Sequence, residues 1–462
     1  MQFGKQVDFL KNEVMGRSSF GWILGSAGSG KSTAAFAFLT SQLDDKEWIF
    51  TWMYFDTAQV LCVGFSNNQK KEFLLEYEDM PALQNYLVEG GDDKRHFLFL
   101  DGYVISGQNS KDIRRFTNKC ESWLLKNRNM RRLCIICSMS TRGNYKMDED
   151  EGQQVQVHTV SSWILEDYQL AFAQQQVIEC YRKNLDAGIK GDCSPDTEQL
   201  VVSKFYFAGS CARNMFSYKS AEVINYLQPA IRSCTDIVPY VTYTLGAQSV
   251  DRLLSTTVES GYNVQSLVSR FVATEFSLKQ GPGMVRRFAQ TMCLSSNPDL
   301  DGLLFEMWFF ALIGHDRLRL APVWAFGRDR VLQFDPSKNV AIPAFNRVWY
   351  KPLKWNQGGY DAVHVDYEAR DVTFVQIVIS KKHSLKLEYF ASLIRNLGIQ
   401  PNSMEILVLV PRDVVSAFEI SSVTGFGLLK DSVNKQNKKW ASHKEKSMVK
   451  ICTFSEDWNL EL

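Results

Sequence analysis

The chain of 462 residues has no long uninterrupted apolar run, no internal repeat and no segment of low complexity. Its longest apolar stretch, near residues 303–313, is interrupted by Glu306 and is too short to cross a bilayer, so we expect no membrane partner. The opening residues, MQFGKQVDFLKNEVMG, are charged and amphipathic and lack the apolar core of a secretory signal. We therefore expect a protein of the nucleus or the cytoplasm.

Net charge is also nearly absent, at +1, because 52 Lys and Arg residues oppose 51 Asp and Glu residues. This balance gives no overall attraction to nucleic acid, so any such binding must be local. The ten cysteines are scattered. Cys134 and Cys137 form a C-x-x-C pair inside an apolar strand pattern, where residues three apart face opposite sides and make a poor metal clamp. We interpret the cysteines as reduced and mostly buried.

The stretch GSAGSGKS at residues 25–32 has the pattern G-x-x-x-x-G-K-[ST]. Glycines let the backbone turn tightly and aim several N–H groups at one anion, and the helical pattern that follows adds its N-terminal dipole. We predict that Lys31 reaches the β- and γ-phosphates of a nucleotide and that Ser32 binds Mg²⁺. A chance glycine-rich loop is the alternative, and ATP and GTP both stay open. The predicted nucleotide-binding residues of this stretch are Gly25, Ser26, Ala27, Gly28, Ser29, Gly30, Lys31, Ser32 and Thr33.

The run HFLFLDG at residues 96–102 is typical of a buried parallel strand that ends in an acid. Asp101 is predicted to hold the Mg²⁺ through water, as a Walker B acid does. An aspartate that starts a turn with Gly102 is the alternative. The usual catalytic glutamate after this aspartate is missing, which argues against fast hydrolysis but not against nucleotide binding.

Two further groups are candidate nucleotide sensors. Ser138 ends the strand pattern LCIICSMSTRG, close to Ser140, Thr141 and Arg142, and the carboxyl ends of parallel strands are where ligands gather. Arg213, in KFYFAGSCARNMF, stands where the helical lid of AAA+ and STAND ATPases often carries an arginine that reaches the nucleotide. An ordinary polar loop and a solvated arginine at a helix start are the respective alternatives.

The patterning predicts an α/β protein of three parts. Residues 1–155 alternate strands (19–24, 48–55, 96–101 and 133–138) with helices, as in a P-loop NTPase core of AAA+ or STAND type with a parallel sheet. Residues 156–292 are mainly helical and are predicted to form the lid and a linker. Residues 293–462 are predicted to form a second α/β domain.

In that last part, an apolar helix that carries Glu306 is followed by strands, a helix and a further strand. The order matches a restriction-endonuclease-like core, in which acids on adjacent strands converge on a Mg²⁺ that activates the nucleophile. Asp361 opens one strand, and Gln376 lies in the otherwise apolar strand VTFVQIVIS, where a buried amide needs a partner or a ligand. We predict that Glu306, Asp361 and Gln376 bind the metal. A turn aspartate and a satisfied core amide are the alternatives.

One position departs from the usual pattern of such cores. Val378 stands where a catalytic lysine is expected, two residues after Gln376. The nearest bases, Lys381, Lys382 and His383, are predicted to take its place, and Lys386 on the next helix pattern is a further option. Alternatively, the site binds without cutting.

With both halves in view, the chain resembles the Crinkler effectors of oomycetes and fungi and the retrotransposon hot spot proteins of trypanosomes. The resemblance rests on GSAGSGKS, HFLFLDG, FAGSCAR and GYDAVHVDYEARDVTFVQIVISKKHSLKLEYF. It implies a P-loop ATPase fused to a restriction-endonuclease-like nuclease that acts in a nucleus, with DNA damage or cell death as the outcome. The N-terminal header of Crinklers is absent from this sequence, so host entry has no support here.

Three functions follow as alternatives. The first is an ATP-gated, Mg²⁺-dependent nuclease acting on DNA, and the second is a nucleotide-switched DNA-binding module with a degenerate nuclease fold. The third is an ATPase switch that recruits a protein. The lysine-rich stretch 430–450, with Trp440, either contacts phosphates or is a solvated loop. DNA versus RNA and homo-oligomer versus monomer stay open.

Overall fold

The three-dimensional structure is a computed structural model. It describes the following residues: 2–56, 58–66, 69–89, 94–104, 109–139, 154–186, 196–242, 250–259, 262–292, 298–315, 318–336, 338–353, 359–425 and 447–455. The chain divides into two compact units. Unit 1 comprises residues 1–168, 208–218 and 225–268, and unit 2 comprises residues 169–207, 219–224 and 269–462. The predicted boundaries at 155 and 292 stay predictions.

Helices and strands alternate along the described residues. The helices are α1 (Gln2–Asp8), a π-helix (Phe9–Ser18), α2 (Lys31–Ser41), α3 (Met80–Glu89), α4 (Ser110–Lys126), α5 (Leu165–Phe172), α6 (Gln175–Tyr181), α7 (Thr197–Ala208), α8 (Ala212–Ser217), α9 (Ser220–Ser233), α10 (Val238–Val241), α11 (Arg270–Gln280), α12 (Pro282–Met292), α13 (Pro298–His315) and α14 (Leu387–Leu397), with 3₁₀ turns at Arg182–Asn184, Asp251–Leu253 and Val415–Ala417. The strands are β1 (Phe20–Gly25), β2 (Trp48–Phe55), β3 (Gln59–Ser66), β4 (Gln69–Glu76), β5 (Arg95–Tyr103), β6 (Arg131–Cys137), β7 (Gln156–Val160), β8 (Leu254–Glu259), β9 (Tyr262–Leu267), β10 (Arg319–Ala321), β11 (Trp324–Ala325), β12 (Arg330–Phe334), β13 (Arg347–Pro352), β14 (Ala362–Asp366), β15 (Asp371–Ile377), β16 (Lys382–Lys386), β17 (Ser403–Leu409), β18 (Glu419–Thr424) and β19 (Val449–Phe454).

Unit 1 is built on a seven-stranded sheet in the order β4-β3-β2-β5-β6-β1-β7. Strands β2, β5, β6, β1 and β7 run parallel, and β3 and β4 extend the sheet as an antiparallel hairpin. The α/β class and the parallel sheet predicted from the sequence are therefore confirmed. Each predicted strand of this sheet lies within two residues of its observed bounds.

Both faces of the unit 1 sheet are buried, which explains why its strands are apolar without alternation. Trp22 packs in a core cluster with residues of α3 and α4, whereas its neighbour Ile23 packs in a second cluster with α2 and the π-helix. Cys134 belongs to the second cluster and Cys137 to the first. The two thiols therefore face opposite sides of the sheet, as the spacing predicts.

Unit 2 contains an eight-stranded sheet in the order β11-β10-β19-β17-β15-β14-β13-β12. Strands β13, β14 and β15 form an antiparallel meander, and β17 then pairs parallel to β15 after the crossover helix α14. Phe390 and Leu393 of α14 cover one face of this sheet. Phe309 of α13 packs edge-on against Trp349 of β13, 5.8 Å between ring centroids. Because Trp349 alternates with Tyr350, which packs with α14, helix α13 covers the opposite face.

Helix α13 is apolar on all sides because it is covered on all sides. It packs on α11 and α12 as well as on the sheet. Glu306 is the only charged residue between Leu303 and Ile313. A lone carboxylate in such a helix needs a cation, a ligand or a proton to offset its burial.

Some segments differ from the prediction. Residues 254–267 form the hairpin β8–β9, within the stretch 156–292 that the sequence predicts to be mainly helical. Lys386, which the sequence pattern places on a helix, lies in strand β16 instead, because residues 382–386 pair with β18 and helix α14 begins at Leu387. None of the described helices is both long and apolar enough to cross a membrane.

The buried His96 on β5 makes the stability of unit 1 depend on pH. Its Nε2 lies 2.8 Å from Thr51 Oγ1, and burial, with Arg131 adding to it, lowers the pKa of His96 from 6.5 to about 4. The folded state therefore favours the neutral ring. This stabilisation is complete above pH 6.5 and is lost as the pH falls toward 4.

We expect this one group to remove about 2 kcal/mol from the free energy of unfolding between pH 7 and pH 5. Urea titrations followed by tryptophan fluorescence at the two pH values measure the loss. His96→Gln removes the titration and keeps an amide for Thr51, so its loss over the same interval should be smaller by that amount. Equal pH dependence in both proteins would contradict the prediction.

Candidate functional site

The predicted nucleotide site lies in the turn between β1 and α2. Strand β1 ends at Gly25 and helix α2 begins at Lys31, so the intervening loop leads directly into a helix N-terminus. Gly28 has φ 76° and Gly30 has φ 94°, a backbone region that favours glycine. The strand, glycine-rich loop and helix predicted from residues 19–41 are thus present in that order.

Lys31 is folded back onto its own loop. Its Nζ donates to the carbonyl oxygens of Gly25 and Ser26, at 2.8 and 2.7 Å, and to Ser29 Oγ at 3.4 Å. The side chain is buried, with 9% exposed, and burial lowers the pKa of Lys31 to about 8. Within the described residues no carboxylate forms an ion pair with it. A buried ammonium held only by neutral oxygens is poised for an anion.

Ser32 and Asp101 meet across 69 positions of sequence. The Ser32 hydroxyl donates to Asp101 Oδ1 at 2.9 Å, and the parallel strands β1 and β5, with β6 between them, bring the two residues to one edge of the sheet. Burial raises the pKa of Asp101, while the Ser32 hydrogen bond and the Lys31 charge act in the opposite direction. A hydroxyl oxygen and a carboxylate oxygen that lie side by side are suitable ligands for Mg²⁺.

Residues from other parts of unit 1 also hold the loop in place. Ala212 N donates to Gly28 O at 2.9 Å, and Trp163 Nε1 donates to Ser29 O at 3.2 Å. Ser26 Oγ lies 2.7 Å from Thr256 Oγ1. These contacts come from segments far along the chain, and sequence patterns gave no signal for Trp163 or Thr256.

Arg213 lies beside the loop, since its Cβ would stand 3.4 Å from a Cβ built at Gly28. Its charge contributes to lowering the pKa of Lys31 and of Asp101. The predicted sensor arginine is therefore near the nucleotide loop, and its role stays a prediction. Ser138 follows β6 directly, whereas Ser140, Thr141 and Arg142 fall outside the described residues.

The second predicted site centres on a small, partly open cavity in unit 2. Helix α13 contributes Glu306, and Asp361, one residue before β14, faces the same cavity. The residues that line this cavity are Tyr206, Glu306, Phe310, Lys351, Pro352, Tyr360 and Asp361. Two acids predicted from separate parts of the sequence are thus brought together.

The two carboxyl groups influence each other. Burial, and secondly the charge of Glu306, raise the pKa of Asp361 to about 7. Burial also raises the pKa of Glu306, and the charges of Arg270 and Lys351 oppose that rise. Arg270 Nη1 lies 3.9 Å from Glu306 Oε2. Adjacent buried acids of this kind bind a cation or share a proton.

Gln376 lies next to Asp361 along the β14–β15 ladder. Asp361 N donates to Val375 O at 2.8 Å, and Ile377 N donates to Asp361 Oδ2 at 2.6 Å, so Asp361 bonds to the residues on either side of Gln376. Gln376 Nε2 lies 2.7 Å from His383 Nε2. Gln376 Oε1 is buried and has no hydrogen-bond partner in the part of the chain that is described. That oxygen is available to a ligand.

The predicted basic residues occupy other positions. Lys381 and Lys382 are exposed, and Lys382 pairs with Glu419 at 3.2 Å. His383 contacts Gln376, and burial, with Lys386 adding to it, lowers the pKa of its ring. Neither lysine is among the residues that line the cavity, and their catalytic role stays a prediction.

Sequence reasoning missed the lysine that does line the cavity. Lys351 stands in the strand RVWYKP, whose residues from Val348 onward are all buried. A charged residue within a buried strand is the same signal that singled out Gln376, and it could have drawn attention to Lys351. Counting only His, Cys, Asp and Glu, no group of three suited to a metal occurs among the described residues. Gln376 would have to complete the set formed by Glu306 and Asp361.

Comparison with known proteins does not identify a family. No protein-family model matches the sequence, and no curated protein matches it. Among solved structures, Cdc6p from Pyrobaculum aerophilum is similar at 12% identity and a TM-score of 0.23, covering 63% of this chain and 93% of that chain. At this TM-score the likeness carries no argument.

Gly28 tests the packing of the nucleotide loop. We expect Gly28→Ala to destabilise unit 1 by about 1–3 kcal/mol, because its φ is 76° and the new Cβ would stand 2.2 Å from Cys211 Sγ. Gly283→Ala is the matched control, since a Cβ there meets nothing within 4 Å and lies in helix α12. Chemical denaturation compares the variants.

Adding Cys211→Ala to Gly28→Ala should recover part of the loss, because it removes the sulfur and leaves only the backbone strain. A Gly28→Ala protein as stable as the Gly283→Ala control would show that the loop does not pack as described.

Proposed function

We propose that unit 1 binds a nucleoside triphosphate with Mg²⁺ in the loop formed by residues 25–33. The observation that carries this proposal is the buried ammonium of Lys31, held by loop oxygens at a helix N-terminus without an ion-pair partner among the described residues. A buried ammonium and the free N–H groups at a helix start all donate hydrogen bonds, and phosphate oxygens are well suited to accept them.

The residues present fit a magnesium-bound nucleotide. The Ser32 hydroxyl and the Asp101 carboxylate lie 2.9 Å apart and would hold the ion, which when bound supplies charge neutralisation for the phosphates. Lys31 would exchange the carbonyls of Gly25 and Ser26 for phosphate oxygens. Gly102 follows Asp101 where a glutamate would activate water, so we propose slow hydrolysis by this chain alone.

Lys31→Ala tests the first site. We expect nucleotide affinity to fall below detection, because the substitution removes the one buried cation of the loop. Binding of a fluorescent ATP analogue in the presence of Mg²⁺ measures the change, with GTP as a competitor to decide the base. Lys46→Ala, at an exposed lysine, is the control and should bind as the wild type does. Unchanged affinity in Lys31→Ala would rule out this site.

A second function is favoured by the cavity of unit 2. We propose that unit 2 cleaves a phosphodiester with Mg²⁺, with DNA as the substrate. The support is the convergence of Glu306 and Asp361 on one cavity. Gln376 does not line that cavity, but it neighbours Asp361 on the sheet, and its Oε1 has no hydrogen-bond partner among the described residues. The sheet order, with a meander followed by a helix and a parallel strand, agrees with the predicted restriction-endonuclease-like core. Kinship with the Crinkler family stays a prediction.

The two carboxylates at the cavity are hard oxygen ligands that would fit a magnesium ion, and the amide oxygen of Gln376, which does not line the cavity, would have to join them to complete the set. A metal bound there supplies a Lewis acid and an activated water. The protein's own contribution is to hold these ligand oxygens in place. Ile377 N donates to one oxygen of Asp361, the other accepts no hydrogen bond from the described residues, and His383 contacts the amide of Gln376.

Asp361→Asn tests the second site with little change in shape. Nicking of a supercoiled plasmid by the wild type in Mg²⁺ or Mn²⁺ is expected to disappear in the variant, because one charged donor is lost, while ATP-analogue binding stays unchanged. Asp413→Asn, at an exposed aspartate, should cut as the wild type does. Parallel assays on RNA decide the substrate. Duplex binding without cleavage by the wild type would instead favour a DNA-binding module, and no affinity for nucleic acid at low salt would favour a protein-recruiting switch.

A further inference from the structure

Lys351 on β13 is the charged group at the second site that no sequence motif explains. Its side chain is 4% exposed, and it lies on the sheet face covered by α13, the same face as Trp349 two residues earlier. Burial of an isolated ammonium is unfavourable, so the surroundings must compensate it. The identity of those compensating groups decides whether Lys351 serves only the fold.

The hydrogen bonds that Lys351 makes do not use all of its N–H groups. Lys351 Nζ donates to Thr274 Oγ1 and to Glu275 Oε1, each at 3.0 Å, and lies over the rings of Phe310 and Phe271 at 5.1 and 5.8 Å. Two of its three N–H groups are therefore used by side chains of α11. Within the described residues the third has no hydrogen-bond partner, in a side chain that lines the cavity.

The side chain of Lys351 stays protonated despite its burial. Burial alone would lower its pKa, but Tyr206, Glu275 and Glu306 outweigh burial, and the pKa of Lys351 lies above its ordinary value. The Tyr206 hydroxyl lies 3.1 Å from Thr274 Oγ1, so the same threonine ties the tyrosine and the lysine together. The cavity thus contains a fixed cation beside two acids.

The geometry points to Lys351 as the cation that holds a phosphate oxygen next to Glu306 and Asp361. This inference rests on the function proposed for unit 2. It assigns the expected positive charge to Lys351 on β13, because Val378, directly after β15, carries no charge. Val378 is itself buried in a separate apolar cluster with Val408 and Val410, where a lysine would bury its charge among apolar side chains. Lys381 and Lys382 are exposed and do not line the cavity.

The test is binding of a short fluorescent DNA duplex by the full chain, with Ca²⁺ in place of Mg²⁺ to prevent cleavage. We expect Lys351→Met to weaken binding about ten- to a hundredfold, the range of one charged hydrogen bond. Lys338→Met, at an exposed lysine, is the matched control and should bind as the wild type does.

Glu275→Gln separates a ligand role from a structural one. This variant removes the ion-pair partner but keeps the ammonium, so it should bind the duplex as the wild type does. A loss equal to that of Lys351→Met would show that the lysine only pairs with Glu275 and would overturn the inference. If Lys351→Met does not fold, the double variant Glu275→Gln/Lys351→Met removes the unpaired buried acid and is expected to show the same loss of binding.

The two proposals fail in different ways. Plasmid nicking that depends on Asp361, together with unchanged duplex binding in Lys351→Met, overturns the inference and keeps the nuclease. Absence of nicking, together with weakened duplex binding in Lys351→Met, keeps the phosphate site and overturns the nuclease. A wild type that neither binds nor cuts nucleic acid overturns both.

Discussion

Burial of a lysine ammonium is the constraint on which both candidate sites depend. In unit 1 the loop around Lys31 turns its own carbonyl oxygens inward, and the lowered pKa of about 8 corresponds to a cost of about 3 kcal/mol for keeping the charge there. Packing alone would not retain such a group, because an apolar side chain of the same length would be less costly. A ligand that offsets the charge gives the residue a reason to be buried.

The parts of the fold that the sequence predicts are those whose signals are local. The apolar runs of the central parallel strands and the glycine-rich loop need no information from elsewhere in the chain. The antiparallel strand β4 is largely exposed, so its sequence resembles a surface loop. Residues 382–386 lie in a pattern that also suits a helix, and only their pairing with β18 decides in favour of a strand.

The residues of the two candidate sites also differ in whether a local sequence signal predicts them. Lys31, Ser32 and Asp101 could be assigned because a motif fixes their spacing and the sheet order then brings them together. Glu306 is predicted as a lone acid in an apolar helix, and Asp361 as an acid that opens a strand in the order of a restriction-endonuclease-like core. Lys351 could not be connected with them, because its place in the cavity depends on α13 and β13 lying against each other, a contact between segments that are distant in sequence.

The charge balance of the second cavity bears on what it can accept. Two acids, Glu306 and Asp361, and one base, Lys351, line it, while Arg270 lies 3.9 Å from Glu306 and Glu275 pairs with Lys351. With all five groups ionised, three acids oppose two bases and the site is negative. A phosphodiester would be repelled from the two acids unless a divalent cation came with it, and Lys351 alone is partly neutralised by Glu275. The arrangement therefore selects for a metal and an anion together, and a site meant to bind DNA without a metal would keep the lysine and discard the acids. This charge balance supports the cleavage proposed for unit 2 over the alternative of a degenerate site.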